Sequence, residues 1–362
     1  KTFVKSSFSL YKGDDKWIPP ILIDEYEVFN PKKNPAFENA DCQLFLAYKE
    51  GRVAGRIAAI ISHAANEKYK SKNLRFGWFE SINDPAVAKA LFDAAEAWGK
   101  QKGMETITGP LGFTDLDPEG LMIEGFEEIP TVASNYNKPY FQDLIEGYGF
   151  EKEIDYIEFF AKIPEMNEIP EKLLKLSDRI RQRSKLQIRN YDKKKDLVKR
   201  GKELFTLLDE AFDEIYGSTP LTEKQIEYYT KKYLPFVHKD LIKVIDNEEG
   251  EMIGFMISMP SLTQGFKGAR GRLFPFGWTH LLRALKTYNH LDFYLAGVKK
   301  KYRGIGVDLL MVIEIIKSAK ELGFKYSESN MELESNTKIH GLWKYFNPRQ
   351  HKRRRIFKKN ID

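Results

Sequence analysis

The sequence of 362 residues contains almost no cysteine. Cys42 is the single thiol, so the chain cannot form an internal disulfide and offers no thiol cluster for a metal. No apolar run approaches the roughly 20 residues needed to span a bilayer, and no secretory signal opens the chain. These absences favour a protein of the reducing cytoplasm that uses no metal.

Strong net charge is also lacking, since the formal charge is only +6. The cations concentrate near the C-terminus, at His351, Lys352, Arg353, Arg354, Arg355, Lys358 and Lys359. Phe357 is the one aromatic residue among them, whereas single-stranded nucleic acid binding needs several stacking residues. We therefore interpret this segment as a solvated, charged edge strand and expect no nucleic-acid partner.

The length favours two domains, because single cores rarely grow beyond about 250–300 residues. A polar stretch bounded by Pro164 and Pro170 predicts the boundary, giving domains over 1–164 and 171–362. Each half contains a predicted hairpin with a similar turn, KEGRVAG at 49–55 and EEGEMIG at 248–254. Strand, helix and strand follow in both halves, which indicates an internal duplication.

The segment 291–310, LDFYLAGVKKKYRGIGVDLL, predicts a strand, a basic turn with two glycines, and a helix. Close backbone approach, free N–H groups, the helix dipole and nearby cations together favour a phosphate or pyrophosphate. A dinucleotide fold would need three glycines, and an ATP-binding loop would end in Gly-Lys-Ser/Thr; neither pattern fits. An ordinary tight strand-to-helix turn remains the alternative.

The corresponding turn of the first half, 80–85, has no glycine and two acids, so we expect no cofactor there. The loop 109–126 that follows is rich in glycine, proline and acids. It is either a structural connection or a substrate wall in which Asp115, Asp117 or Glu124 faces an amine.

Two segments of the second half carry further candidates. The predicted strand 325–334 places Glu328, Asn330, Glu332 and Glu334 on one face, as general bases for an amine or as a hydrogen-bonded network. Three interpretations stay open for the amphipathic segment that begins at Trp278: packing on the core, lining of a substrate pocket, or contact with a membrane surface.

Lys301-Tyr302-Arg303-Gly304-Ile305-Gly306 resembles the coenzyme A pyrophosphate loop of the GNAT acyltransferases, Gln/Arg-x-x-Gly-x-Gly/Ala, with Lys in first place. The segments GPLGFTDLDPEGLMIEGF, LFPFGWTHLLRALK and ELESN are similar to a bacterial family of tandem GNAT proteins. The resemblance implies an α/β fold of two GNAT-like domains, each a twisted, mixed and mostly antiparallel sheet flanked by helices. It also implies that the N-terminal domain is degenerate and that the C-terminal one binds acyl-CoA.

The implied reaction is direct attack of an amine on the thioester of acetyl-CoA or a longer acyl-CoA. The residues expected to bind the cofactor are Leu295, Ala296, Val298, Lys301, Arg303, Gly304, Ile305, Gly306 and Asn336. The expected catalytic residues are Glu328, Glu334 and Tyr345, the phenol nearest to Trp343, which stands where GNAT proteins often have a tyrosine acid. The expected acceptor contacts are Asp115, Asp117 and Trp278.

Two other functions stay open from the sequence. The first is a non-catalytic acyl-CoA sensor or scaffold. The second is an acyltransferase whose acceptor is a lipid-like amine at the membrane surface. Nothing in the sequence indicates the oligomeric state.

Overall fold

The computed structural model describes residues 1–183, 185–286, 289–343 and 346–361. Its strands are β1 Ala40–Lys49, β2 Arg52–Ser62, β3 Asn73–Ser81, β4 Thr106–Gly109, β5 Leu121–Glu124, β6 Glu151–Lys162, β7 Gln187–Arg189, β8 Ile242–Asp246, β9 Met252–Pro260, β10 His290–Val298, β11 Tyr326–Glu328, β12 Glu332–Leu333 and β13 Arg349–Asn360.

The helices are α1 Thr2–Leu10, α2 Leu22–Val28, α3 His63–Tyr69, α4 Pro85–Gln101, α5 Phe141–Gly147, α6 Glu171–Arg183, α7 Lys194–Lys199, α8 Gly201–Phe212, α9 Glu223–Tyr233, α10 Thr263–Ala269, α11 Gly277–Ala284, α12 Val307–Glu321 and α13 Thr337–Trp343. Short 3-10 turns lie at Pro35–Glu38, Leu234–Phe236, Lys239–Leu241 and Lys300–Tyr302. None of the helices in the described part of the chain is long and apolar enough to cross a membrane.

All strands join one mixed sheet, in the order β1-β2-β3-β4-β13-β6-β11-β10-β9-β8-β7, with β5 on β13 and β12 on β6. The last strand of the chain, β13, lies between β4 and β6 of the first half. β6 in turn pairs with β11 of the second half, so the sheet runs without a break across both halves. The predicted α/β fold class is confirmed, and the halves share strands.

The prediction of a solvated edge strand at the C-terminus was wrong, because β13 is central and several of its cations are buried. Lys352 and Arg354 are 1% and 0% exposed. Acids of the neighbouring β6 neutralise them: Glu158 accepts from Arg354 Nε at 2.6 Å, and Asp155 accepts from Arg355 Nε at 2.8 Å. A run of cations on one strand is thus matched by carboxylates on the next.

Helices cover both faces of the second half. Ile245 and Ile253 pack in a core with α12, whereas their neighbours Val244 and Met252 pack in a core with α8. Successive strand residues point to opposite faces, so α12 and α8 lie on opposite sides of the sheet.

The strands β10 and β11 separate after a short contact. They pair in parallel only from His290 to Asp292 with Tyr326 to Glu328. Beyond that point β10 continues against β9, with an irregularity between Phe293 and Leu295, while β12 pairs with β6. A gap therefore opens in the sheet between β10 and β12.

The predicted continuous strand over 325–334 is in fact two short strands. Glu328 lies opposite Phe160 on β6, and Glu332 lies opposite Ile157. From the first pair to the second, the chain advances by four residues in the 328–332 segment and by three in β6. The 328–332 segment therefore contains one extra residue, and its side chains change face after it. Glu328 and Glu332 therefore point to opposite sides of the sheet.

Candidate active site

The gap between β10 and β12 contains a cavity of about 610 Å3. Met311 and Ile315 of α12 form its wall on one face, and Phe212 at the end of α8 forms its wall on the other. The cavity therefore passes through the sheet. Of the predicted residues, it is lined by Asp115, Leu295, Ala296, Val298, Arg303, Gly304 and Asn336.

One edge of β10 faces this cavity and has no strand partner among the described residues. Leu295 to Val298 pair with Ile257 to Gly254 of β9 on the other edge, and β11 pairs with β10 only as far as Asp292. Near the start of the unpaired edge, Asn330 Nδ2 donates to Tyr294 O at 3.0 Å. The backbone of 295–298 can thus bond an extended ligand as an added strand would.

The glycine turn lies at one end of the gap. Gly304 and Gly306 have φ of +81° and +91°, which explains glycine at both positions. A Cβ on Gly306 would clash with Ile180 Cδ1, whereas the space around Gly304 is open. No side chain caps α12 at Gly306. The first N–H groups of this 15-residue helix are thus available to an anion.

The cations of the turn differ in their environment. Arg303 donates to Val298 O at 3.2 Å, to Ala211 O at 3.0 Å and to Glu214 at 2.8 Å. The Lys301 side chain is 65% exposed, and its Nζ lies 3.9 Å from Glu251. Arg303 therefore fixes the turn against the end of α8, and Lys301 is the cation that can reach outward.

Acids of the first half line the far side of the cavity. Asp115 Oδ2 accepts from the Thr219 N–H at 3.2 Å, whereas Glu119 makes no hydrogen bond or ion pair in the described chain. Burial, with Asp115 nearby, raises the pKa of Glu119 to about 8, and burial raises that of Asp115 to about 6. The buried Tyr156 hydroxyl beside them has no hydrogen-bond partner among the described groups.

Two predicted acceptor contacts lie outside the cavity lining. Asp117 accepts from the N–H groups of Phe113 at 2.9 Å and Thr114 at 3.1 Å, so it shapes the loop. Trp278 is on the surface, 44% exposed, and its indole donates to Pro275 O at 3.0 Å. Neither residue joins Asp115 in the lining of the cavity.

The two predicted bases have different surroundings. Glu328 is buried and bonds the Lys352 ammonium, which also donates to Glu158 at 3.2 Å. Burial raises the pKa of Glu328 to about 7, whereas the Arg354 and Lys352 cations lower the pKa of Glu158 to about 2. Glu334 bonds Lys152 at 2.7 Å and Arg353 at 2.8 Å, which lowers its pKa and makes it the weaker base.

A histidine lies beside this network. His351 Nε2 is 3.5 Å from Glu328, and its ligand atoms and those of Glu158 and Glu328 lie within 4.8 Å of one another. Lys352 bonds both carboxylates and Arg354 also bonds Glu158, so two cations face two acids and the group acts as a buried ion network.

Three further residues at the gap have the chemistry of a catalytic site. Tyr294 lines the cavity, and burial raises the pKa of its hydroxyl, which has no described hydrogen-bond partner. Asp292 stands two residues earlier on β10, opposite Glu328 of β11. Burial raises the pKa of Asp292 to about 8. Glu332 lines the cavity, and burial raises its pKa to about 7.

The alternation in the 291–298 strand could have singled out Asp292, an acid between apolar neighbours. Glu332 could not be separated from its neighbours without knowledge of the inserted residue in the strand. Trp343, which replaces the expected phenol, donates its indole N–H to Glu332 Oε1 at 2.7 Å. Tyr345 lies outside the described residues, and its predicted role stays a prediction.

Known proteins resemble this chain over its full length, although no protein-family model matches it. Protein YghO of Escherichia coli (strain K12) is 28% identical over 367 residues, covering 100% of this chain and 93% of YghO. The bacterial ceramide synthase of Caulobacter vibrioides (strain NA1000 / CB15N) is 28% identical over 375 residues, covering 100% of this chain and 94% of the synthase.

The fold also matches solved structures. A tandem GNAT protein from the clavulanic acid biosynthesis pathway aligns with a TM-score of 0.57 at 9% identity, over 99% of this chain and 95% of that protein. A GCN5-related N-acetyltransferase from Anabaena variabilis aligns with a TM-score of 0.50 at 9% identity, over 100% of this chain and 69% of that protein. The chain therefore has the tandem GNAT fold, an acyltransferase fold, as the resemblance implied.

Proposed function

We propose that the protein is an N-acyltransferase that transfers a long acyl group from acyl-CoA to an amine. The observation that carries the proposal is the cavity through the sheet, which joins an anion-binding turn, an unpaired strand edge and buried carboxyls. A non-catalytic acyl-CoA sensor would need the turn and the edge, but it has no use for the carboxyls.

The second half would hold the cofactor. The N–H groups of 304–307 would bond the pyrophosphate, with Lys301 adding charge from outside. The free edge of 295–298 would bond the pantetheine arm, which carries amide groups of its own. Both contacts use backbone groups, so they do not depend on the identity of most side chains in the turn.

The first half would hold the acceptor. Asp115 and Glu119 bring two carboxyls to the cavity wall, and a cationic amine is the natural partner for such a pair. Arg75 is also buried nearby and donates to Gly217 O at 2.8 Å, and its single charge balances one ionised acid. Glu119 holds a proton near neutral pH, which it would release when a cationic amine binds, because a neighbouring positive charge lowers the pKa of a carboxyl group. This charge balance favours an amine over a neutral alcohol as the acceptor.

A long acyl chain fits the apolar walls of the cavity. The face beneath α12 contributes Met311, Val312, Ile315, Ile316 and Ala319, none of which carries a charge. The cavity volume of about 610 Å3 exceeds what an acetyl group requires. The likeness to a bacterial ceramide synthase supports this choice, because a ceramide is the amide of a fatty acid and a long-chain amino alcohol.

The reaction needs a proton acceptor beside the thioester. The cationic amine first gives one proton to the base, and its neutral nitrogen then attacks the thioester carbon. The C–S bond breaks, and the second proton of the nitrogen goes to the coenzyme A thiolate as it leaves. Glu332 has a raised pKa and lines the cavity near β10, so it is our candidate for the base. Glu119 would then bind the acceptor further from the carbonyl.

The test is transfer of labelled palmitoyl from palmitoyl-CoA to a panel of amines, with the amide product measured. Glu332→Gln should lower kcat at least tenfold and leave the Kd for coenzyme A unchanged. Glu334→Gln on the same segment is the matched control and should retain activity. Normal coenzyme A binding with no amide product from any amine would refute the enzyme and favour the sensor.

A further inference from the structure

An exposed apolar surface surrounds α11, and none of its residues is among those that line the cavity. Phe274 and Phe276 precede the helix and are 80% and 72% exposed, and Trp278 and Leu282 on the helix are 44% and 48% exposed. We call these four residues the aromatic surface. Four large apolar side chains in nine residues exceed the scattered exposure usual on a protein surface.

The helix beneath the aromatic surface is firmly packed. A Cβ added at Gly265 of α10 would meet Leu281 and Ala284 of α11 at about 3.0 Å, so the two helices are in close contact. Leu22 N–H donates to Gly271 O at 2.9 Å, which ties the connection between them to the N-terminal segment. The exposed rings therefore project from a fixed platform.

The charge of the segment that carries this surface has one sign. Between Glu251 and Asp292 the sequence has no carboxylate and five cations, Lys267, Arg270, Arg272, Arg283 and Lys286. Arg272 and Lys286 are exposed, and neither side chain makes an ion pair with a described carboxylate. An apolar centre bordered by Arg272 and Lys286 is complementary to a partner that has negative charges at its surface and an apolar interior beneath them.

We propose that the aromatic surface and its cations dock the protein on an anionic phospholipid bilayer. Tryptophan and phenylalanine enter the boundary between head groups and acyl chains, and lysine and arginine bond the phosphates. A second copy of the chain is the less suitable occupant, because a two-fold contact would place the same five cations against each other. This inference does not depend on the proposed reaction.

The test is sedimentation of the full chain with two kinds of vesicle, phosphatidylcholine alone and phosphatidylcholine mixed with phosphatidylglycerol. We expect binding to the anionic vesicles and at least tenfold weaker binding to the neutral ones, with added salt reducing the former. The double variants F274S/F276S and R272E/K286E should each lose at least tenfold in affinity for the anionic vesicles.

Controls separate this surface from general stickiness. Phe236→Ser removes another ring that is 64% exposed, and it should bind vesicles as the wild type does. All these side chains are exposed, so thermal unfolding should stay within a degree or two of the wild type. The proposal fails if the wild type stays in the supernatant, if the double variants still sediment, or if F274S/F276S instead dissolves a dimer seen by light scattering.

Discussion

Replacement of one glycine in the turn tests the cofactor site most directly, because the chain provides a matched control. Gly304 has φ of +81° and Gly323, just after α12, has φ of +89°. A Cβ built on either residue meets nothing within 4 Å. Alanine at either position should therefore cost the same backbone strain, roughly 1–2 kcal/mol of unfolding free energy.

The two variants should differ in ligand binding. Gly304 lines the cavity and Gly323 does not. A methyl group at Gly304 would stand where the pyrophosphate must approach the N–H groups of the turn, and the loss of one charged hydrogen bond amounts to roughly 1.5–3 kcal/mol. The Kd for coenzyme A should thus rise about 10- to 100-fold in Gly304→Ala and stay unchanged in Gly323→Ala.

The measurements are the Kd by titration calorimetry and the unfolding free energy by urea denaturation. Equal losses of stability with a selective loss of affinity would support the site. If Gly304→Ala binds coenzyme A as tightly as Gly323→Ala does, the turn does not contact the pyrophosphate, and the cofactor assignment fails.

Three other substitutions test the remaining features. Lys352→Met leaves the buried Glu328 without its cation and Glu158 with Arg354 alone, so it should cost roughly 3–5 kcal/mol of unfolding free energy in urea at neutral pH; a loss below about 1 kcal/mol would contradict the ion network. Val312→Phe narrows the cavity, so the ratio of kcat/KM for palmitoyl-CoA to that for acetyl-CoA should fall at least tenfold, and an unchanged ratio would place the acyl chain elsewhere. Folded wild type keeps a proton on Glu119 that the unfolded chain releases, so its stability should fall as the pH rises from about 4.5 towards about 8. Gln at position 119 does not titrate, so the free energy of unfolding of Glu119→Gln should rise relative to that of the wild type across this window. If the difference between the two free energies stays constant from about pH 5 to about pH 8, the raised pKa is refuted.

The turn and the hairpins could be predicted from the sequence because each is specified by consecutive residues. Glycines at 304 and 306, cations before them and an apolar helix after them describe a strand, a turn and a helix without reference to other parts of the chain. The order of elements in the two halves was predictable for the same reason. The fold class followed from that order.

Features that depend on distant partners could not be predicted. The cations of β13 predict a solvent-exposed strand, because the sequence does not show that Asp155 and Glu158 of β6 lie beside them. Likewise, the face that Glu332 presents depends on a single inserted residue relative to β6. The place of Glu119 in the cavity depends on how the loop 109–126 reaches across the sheet, and no local pattern encodes that.

The N-termini of α4 and α12 differ in a way that bears on the proposed cofactor site. In the first half Asp84 caps α4, accepting from the Ala86 N–H at 2.9 Å, and Lys49 lies 2.6 Å from the same carboxylate. The first turn of α4 already holds an anion of its own, whereas α12 begins at Gly306 with no side-chain cap. On the proposed function, the N-terminus of α4 is therefore closed to a pyrophosphate, and the first half instead supplies Asp115 and Glu119 to the cavity. Because residues of both halves line this cavity, neither half can form it alone, and β13 between β4 and β6 holds the proposed acceptor carboxyls and the turn in one continuous sheet.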